Sequence, residues 1–143
     1  LIFVISLPLQ VAMSQPSPSS LGVLDVVGMA LVLLGTACEG TADWQLARWK
    51  RDPQHRGQVM QHGLWRYTRH PNYFGDFVVW WGLYCGALAT GVGAWTVLSP
   101  VLMSLLLMRV SGVPLLEKSM KERPGYADYV RRTSSFFPRP PRD

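Results

Sequence analysis

Gly63-Leu64-Trp65-Arg66-Tyr67-Thr68-Arg69-His70-Pro71-Asn72-Tyr73-Phe74-Gly75-Asp76 crowds two arginines, a histidine, an asparagine, two tyrosines and a tryptophan between glycines. An apolar segment without charge follows it, so the stretch reads as polar chemistry placed at a membrane edge. Outward from it, no Lys or Arg occurs before Arg48, and none lies between Arg69 and Arg109. A soluble domain scatters its charges, whereas this chain gathers them into a loop around 48–69 and a tail after Arg109. The expected fold is therefore all-α: a multi-pass transmembrane helix bundle with short cytosolic amphipathic helices.

The 143 residues suffice for about one domain. The net charge of +5 raises the question of nucleic acid, but the cations flank apolar spans and accompany no nucleic-acid motif, so no nucleic-acid partner is expected. The positive-inside rule accounts for them and makes the basic loop and the C-terminus cytosolic. Cys38 and Cys85 lie at or inside apolar segments and read as packing residues. His55 and His62 have no cysteine or carboxylate cluster around them, so no metal site is expected, and both read as solvated.

Leu1 to Met13 opens in mid-hydrophobic run, without an initiator methionine or the basic flank of a signal peptide. It is expected to be a partial span, in a chain that is the C-terminal part of a larger membrane protein. Further spans are expected at about 21–38, 74–90 and 96–110, with 39–73 and 111–143 cytosolic in a single membrane domain, 1–143. The first full helix should run past the bilayer to about Lys50, because nothing breaks it before Asp52-Pro53. The last two spans form a hairpin that returns the tail to the face of the 48–69 loop.

On that face Arg66, Arg69 and His70 join Lys50, Arg51, Lys118, Arg123, Arg131 and Arg132, a set that could hold phosphate oxygens through guanidinium forks. Taken singly, each cation is better explained as a topology signal or a contact with anionic lipid, at about 1 kcal/mol each. Lipid contact does not explain the crowding of His70, Asn72, Tyr73 and Asp76 into one turn. Asn72 and Asp76 share a helix face, and Glu39 and Asp43 approach from the preceding helix. These groups could bind ribose hydroxyls or a nicotinamide carboxamide, or could satisfy one another.

Glu39, Ala42-Asp43, Gly63-Leu64-Trp65, Arg69-His70-Pro71-Asn72-Tyr73-Phe74-Gly75-Asp76, Trp80-Trp81-Gly82, Ser99-Pro100, Ser111-Gly-Val-Pro-Leu-Leu-Glu-Lys118, and Tyr126, Tyr129, Thr133 and Phe137-Pro138 follow one another in order. From about Glu39 to its end the chain resembles the C-terminal half of the steroid 5-alpha-reductase-like membrane proteins. The resemblance implies an oxidoreductase that binds NADPH and transfers hydride to an activated C=C bond of a lipid or steroid-like enone, with a hydrophobic substrate and membrane lipids as partners. It implies cofactor contacts from Asn72 and Asp76, with Asp43, Arg69, His70 and Tyr73 lining the same site. Asp76 stands where family members often carry glutamate. Tyr73 is a candidate donor to the enone oxygen, weighed against a plain interfacial tyrosine; the substrate-side acid and tyrosine of the steroid enzymes belong to the N-terminal half.

Two other readings compete. Isoprenylcysteine and phospholipid methyltransferases, which bind S-adenosylmethionine, also carry an Arg-His-Pro-x-Tyr-x-Gly block, and Arg69–Gly75 fits it. A non-catalytic lipid-binding membrane module would use the basic face alone. The Asn-Tyr-Phe-Gly-acid form, Ala42-Asp43 and the Ser-Gly-Val-Pro-Leu-Leu-Glu block favour the reductase.

Overall fold

The structure, a computed structural model, describes residues 2–16, 20–91 and 94–142. Among these the chain is helical, with one isolated β-bridge between Thr68 and Ser134. In order come α1 (Ile2–Ile5), α2 (Leu7–Met13), α3 (Val23–Arg51), α4 (Pro71–Ala89), α5 (Leu98–Leu105), α6 (Val113–Met120) and α7 (Tyr126–Arg132). Short 3₁₀ turns cover Pro53–His55, Gly63–Arg66 and Ala94–Val97, and Leu106–Val110 forms a π turn after α5.

Helix α3 starts where Asp25 reaches back to the Gly22 amide at 2.8 Å and ends at Asp52, ahead of Pro53. It is one uninterrupted helix through Glu39 and Asp43, as expected from the lack of breakers. Pro71 occupies the first turn of α4, where its missing amide is harmless. The π turn ends with the Ser111 amide bonding the Leu106 carbonyl at 2.9 Å. Gly112 follows because a Cβ there would collide with the Leu107 carbonyl. The expected helix at 96–110 is thus built of three short pieces.

Glycines set the central packing. A Cβ on Gly35 would lie 2.6 Å from the Gly75 carbonyl oxygen and 2.8 Å from the Val79 amide; one on Gly28 would lie 2.8 Å from the Gly82 carbonyl and the Gly86 amide. From the α4 side, Gly75 meets the Glu39 amide at 2.6 Å and Gly82 the Val32 amide at 2.8 Å. Gly28 and Gly35 are seven residues apart, as are Gly75 and Gly82, so each pair lies on one stripe of its helix. The two stripes meet antiparallel, with backbones closer than any side chain permits. Small residues at a crossing let two backbones approach this closely.

Two stretches, Val23–Arg51 and Ala94–Met120, are long and apolar enough to cross a membrane. Only 11% of the apolar window in α3 is buried within the molecule, so it is not the core helix of a soluble domain; Val26, Met29, Leu33 and Leu34 are all exposed. Helix α4 is not among the two, because Asn72, Asp76, three glycines and several Trp and Tyr side chains dilute its apolar character.

The glycine seam yields a paired prediction. Gly35→Ala places a methyl against backbone and should lower stability by about 1–3 kcal/mol. Gly40→Ala, at a position with open space around it, should be neutral or stabilising by up to about 1 kcal/mol through helix propensity. Unfolding of the detergent-solubilised chain measures both, and equal effects would remove the seam as the determinant of packing.

Candidate functional site

The quoted stretch is fastened to α3 before α4 begins. Gly63 adopts φ +61°, a left-handed conformation that glycine accommodates without cost, and Gln45 of α3 backs it while accepting the Leu64 amide at 3.0 Å. The Trp65 indole donates to the Ala42 carbonyl at 3.1 Å, and Ala42, Met60 and Trp65 form one buried cluster. With the glycine seam beyond it, this docking brings the start of α4 beside the second half of α3.

Asn72 Nδ2 donates to Asp43 Oδ1 across 3.1 Å. An ionised carboxylate can only accept, so Asp43 fixes the amide orientation and turns Asn72 Oδ1 the other way. That oxygen is buried and has no partner among the described residues. Glu39 is close enough to feel the charges of both Asp76 and Asp43, and the Trp80 side chain stands near Asp76. Three carboxylates therefore gather round Asn72, yet no group of His, Cys, Asp or Glu among the described residues is arranged to hold a metal ion. The first turn of α4 has no side-chain cap, so its N-terminus presents partial positive charge.

Arg69 and His70, expected to line the same site, turn toward the C-terminal tail. Arg69 is buried, with Nε and Nη2 on Glu117 Oε1 at 2.8 and 2.7 Å and Nη1 on the carbonyls of Thr133 and Val130 at 2.5 and 3.3 Å. Its fork closes on a carboxylate of α6 and the last turn of α7, which leaves it little capacity for a phosphate. His70 Nε2 lies 3.3 Å from the same Glu117 oxygen. Because the carboxylate accepts, Nε2 carries the hydrogen, and Nδ1 is left as a buried acceptor without a partner among the described residues. Burial holds the His70 imidazole below its ordinary value near 6.5; Glu117 opposes that shift and Arg69 adds to it.

The tail is laid down along this stretch. The Arg69 amide donates to the Ser134 carbonyl at 2.8 Å, the Thr68 hydroxyl to the Phe136 carbonyl at 2.8 Å and the Tyr129 hydroxyl to the Trp65 carbonyl at 2.5 Å. Tyr73 lies between these two regions. It is half-buried, packs on the Leu107–Val113–Phe136 cluster and faces the His70 ring at 5.7 Å. The structure thus divides the expected residues into an open group of Asp43, Asn72 and Asp76, and a tail-holding group of Arg69 and His70, with Tyr73 packed beside the latter.

Glu117 is the partner that the sequence left unassigned. The available signal was its being the only acid between Asp76 and Glu122. His55, expected to be solvated, stacks on Trp49 with ring centroids 3.4 Å apart, and its Nδ1 donates to the Trp49 carbonyl, 3.2 Å away. His62 leans on the same indole at 5.3 Å.

Among known proteins, residues 1–133 match the model of a family described as a protein of unknown function, DUF1295. No curated protein and no solved structure matches the chain.

The buried Arg69–Glu117–His70 group predicts a pH response. With the folded pKa of His70 depressed, the unfolded chain takes up its proton first. The contribution of His70 is therefore complete above about pH 6.5, falls as pH drops toward the depressed folded value, and is level below it. Chemical unfolding at pH 8, 6.5 and 5 should show that loss, and His70→Gln should flatten it. Glu117→Ala leaves a buried guanidinium half-partnered and should cost about 2–4 kcal/mol, read from the same unfolding curves.

Proposed function

The chain belongs to the DUF1295 family, and we propose that it is a multi-pass membrane protein of steroid 5-alpha-reductase type, an NAD(P)H-dependent reductase of an activated C=C bond in a lipid or steroid-like enone. The observation that carries this reading is the unpartnered, buried Asn72 Oδ1 held in place by Asp43. A carboxamide N–H, as in nicotinamide, is the donor such an oxygen lacks. Asp43, Asp76 and Glu39 offer acceptors to ribose hydroxyls. The residues present thus fit a dinucleotide.

When bound, the cofactor supplies the hydride. Asn72 and Asp43 orient the carboxamide end, while Asp76 accepts from a hydroxyl. Exposed cations such as Arg66, which pairs with no acid among the described residues, would hold the phosphates. Arg69 and His70 serve by fixing the turn that starts α4. Tyr73 would donate to an enone oxygen only if the substrate entered beside the Leu107–Val113–Phe136 cluster, an apolar wall suited to a lipid. A bilayer supplies the apolar surroundings that the exposed face of α3 requires, and the basic loop and tail then face the cytosol.

One feature favours a second reading. Three carboxylates with no cation among them also suit a sulfonium, so a methyltransferase using S-adenosylmethionine is the competing assignment. Titration of the detergent-solubilised chain with NADPH, NADH and S-adenosylmethionine separates the two. We expect dinucleotide binding that Asn72→Ala weakens about tenfold, as for loss of a buried hydrogen bond of about 1–2 kcal/mol. Binding of S-adenosylmethionine alone would overturn the reductase, and unchanged dinucleotide affinity in Asn72→Ala would remove that residue from the site.

A further inference from the structure

The C-terminal segment folds back on α7 and closes a small pocket away from the carboxylate cluster. After Phe137 the sequence runs Pro138-Arg139-Pro140-Pro141-Arg142-Asp143, and its three prolines limit the backbone to few conformations. Two backbone bonds fix its path: the Arg139 amide to the Tyr67 carbonyl at 3.0 Å, and the Arg142 amide to the Arg132 carbonyl at 2.9 Å. Between them lies a pocket of about 140 Å³ lined by Val130, Arg131, Arg132, Thr133, Arg139 and Arg142, together with Ser134 and Pro140. Arg131 pairs with Asp128. Arg132, Arg139 and Arg142 have no acidic partner among the described residues.

With Arg131 compensated by Asp128, the other three arginines lining this cavity leave an excess of positive charge that an anion would offset. The end of α7 would normally oppose an anion with its free carbonyls. Here Arg69 already occupies those of Val130 and Thr133. The surroundings indicate where the anion comes from. Phe137, two residues before Arg139, is exposed yet lies 6.2 Å from Phe74 and 5.8 Å from Phe77, ring to ring, so the segment that carries Arg139 leaves from the apolar side of α4. Val130, on its rim, is also exposed. Cations flanked by exposed apolar side chains match the headgroup level of a bilayer.

We propose that Arg132, Arg139 and Arg142, with Arg131, form a phosphate-binding pocket that takes the phosphate of an anionic lipid headgroup. The lipid source rests on the membrane reading above; the phosphate chemistry rests on the pocket alone. Guanidinium forks match a terminal phosphomonoester, which presents more oxygens and charge than a phosphodiester capped by choline.

The test uses the full chain in neutral detergent, titrated with short-chain phosphatidic acid, with phosphatidylcholine of the same chain length, and with inorganic phosphate. Phosphatidic acid should bind at least about tenfold more tightly than phosphatidylcholine, a difference of about 1.4 kcal/mol. Arg139→Gln combined with Arg142→Gln should abolish that preference while leaving the unfolding midpoint unchanged, since both side chains are exposed and their backbone bonds persist. Lys118→Gln combined with Lys121→Gln removes the same charge from the exposed side chains of α6 and its end, and should retain the preference. Competition by inorganic phosphate at similar concentration would assign the pocket to a free oxyanion and overturn the lipid source; its failure to compete supports the lipid. Equal losses in the two double variants, or no preference in the unmodified chain, would overturn the pocket itself, whatever the outcome with dinucleotides.

Discussion

The molecule depends on the approach of two backbones. Where Gly28 and Gly35 face Gly82 and Gly75, a methyl group on any of the four would meet main-chain atoms at 2.6–2.8 Å. Main chain cannot rotate aside as a side chain can, so the contact fixes both the separation and the register of α3 against α4. Sliding either helix by one residue would turn bulky side chains into the seam. The placement of Asp43 opposite Asn72 follows from that register, as does the neighbourhood of Glu39 and Asp76. Acidic groups so near one another repel; they are held there because dispersion and close packing along the whole seam outweigh a local cost at its end.

A second layer is fastened to the first by polar bonds. The tail contributes few apolar contacts to α3 and α4 apart from Phe136 and Phe137, and it is fixed instead by carbonyls and one carboxylate. Arg69 is the hub, with three nitrogens divided between α6 and α7. This arrangement is costly to break at any one point, because each lost partner leaves a buried polar group behind. It also explains how a single turn, His70 to Asn72, can have one residue engaged with the tail and the next-but-one engaged with α3.

Much of this was legible in the residues. The long helix through Glu39 and Asp43 followed from the absence of any breaker before Asp52-Pro53, and the meeting of the tail with the 48–69 loop followed from a hairpin between them. The sharing of one helix face by Asn72 and Asp76 was readable from helical spacing, and the approach of Asp43 from the order of the helices. What spacing could not give was direction: Arg69, His70 and Asn72 lie within four residues, and a change from an extended turn to a helix at Pro71 sends them to different partners. The Gly-x₆-Gly stripes are present in the sequence, but each glycine alone looks like a tolerated defect in an apolar helix. The stacking of His55 on Trp49 had no local signature, since it depends on where the loop after α3 doubles back.

The long reach of the tail's bonds has a consequence for how the protein is made. Thr68 to Phe136 spans 68 positions and Arg69 to Thr133 spans 64, whereas Asn72 to Asp43 spans 29. During synthesis the α3–α4 pair can form while the rest of the chain is still being added, but Arg69 and His70 must wait, without these partners, until Glu117 and Thr133 have been added. A message cut short upstream of Thr133 would leave a paired-helix product carrying a bare guanidinium and imidazole at its polar end. That is the kind of exposed, unsatisfied surface that quality-control proteases and chaperones recognise, so the closing of the tail hides a surface that the paired helices alone leave open.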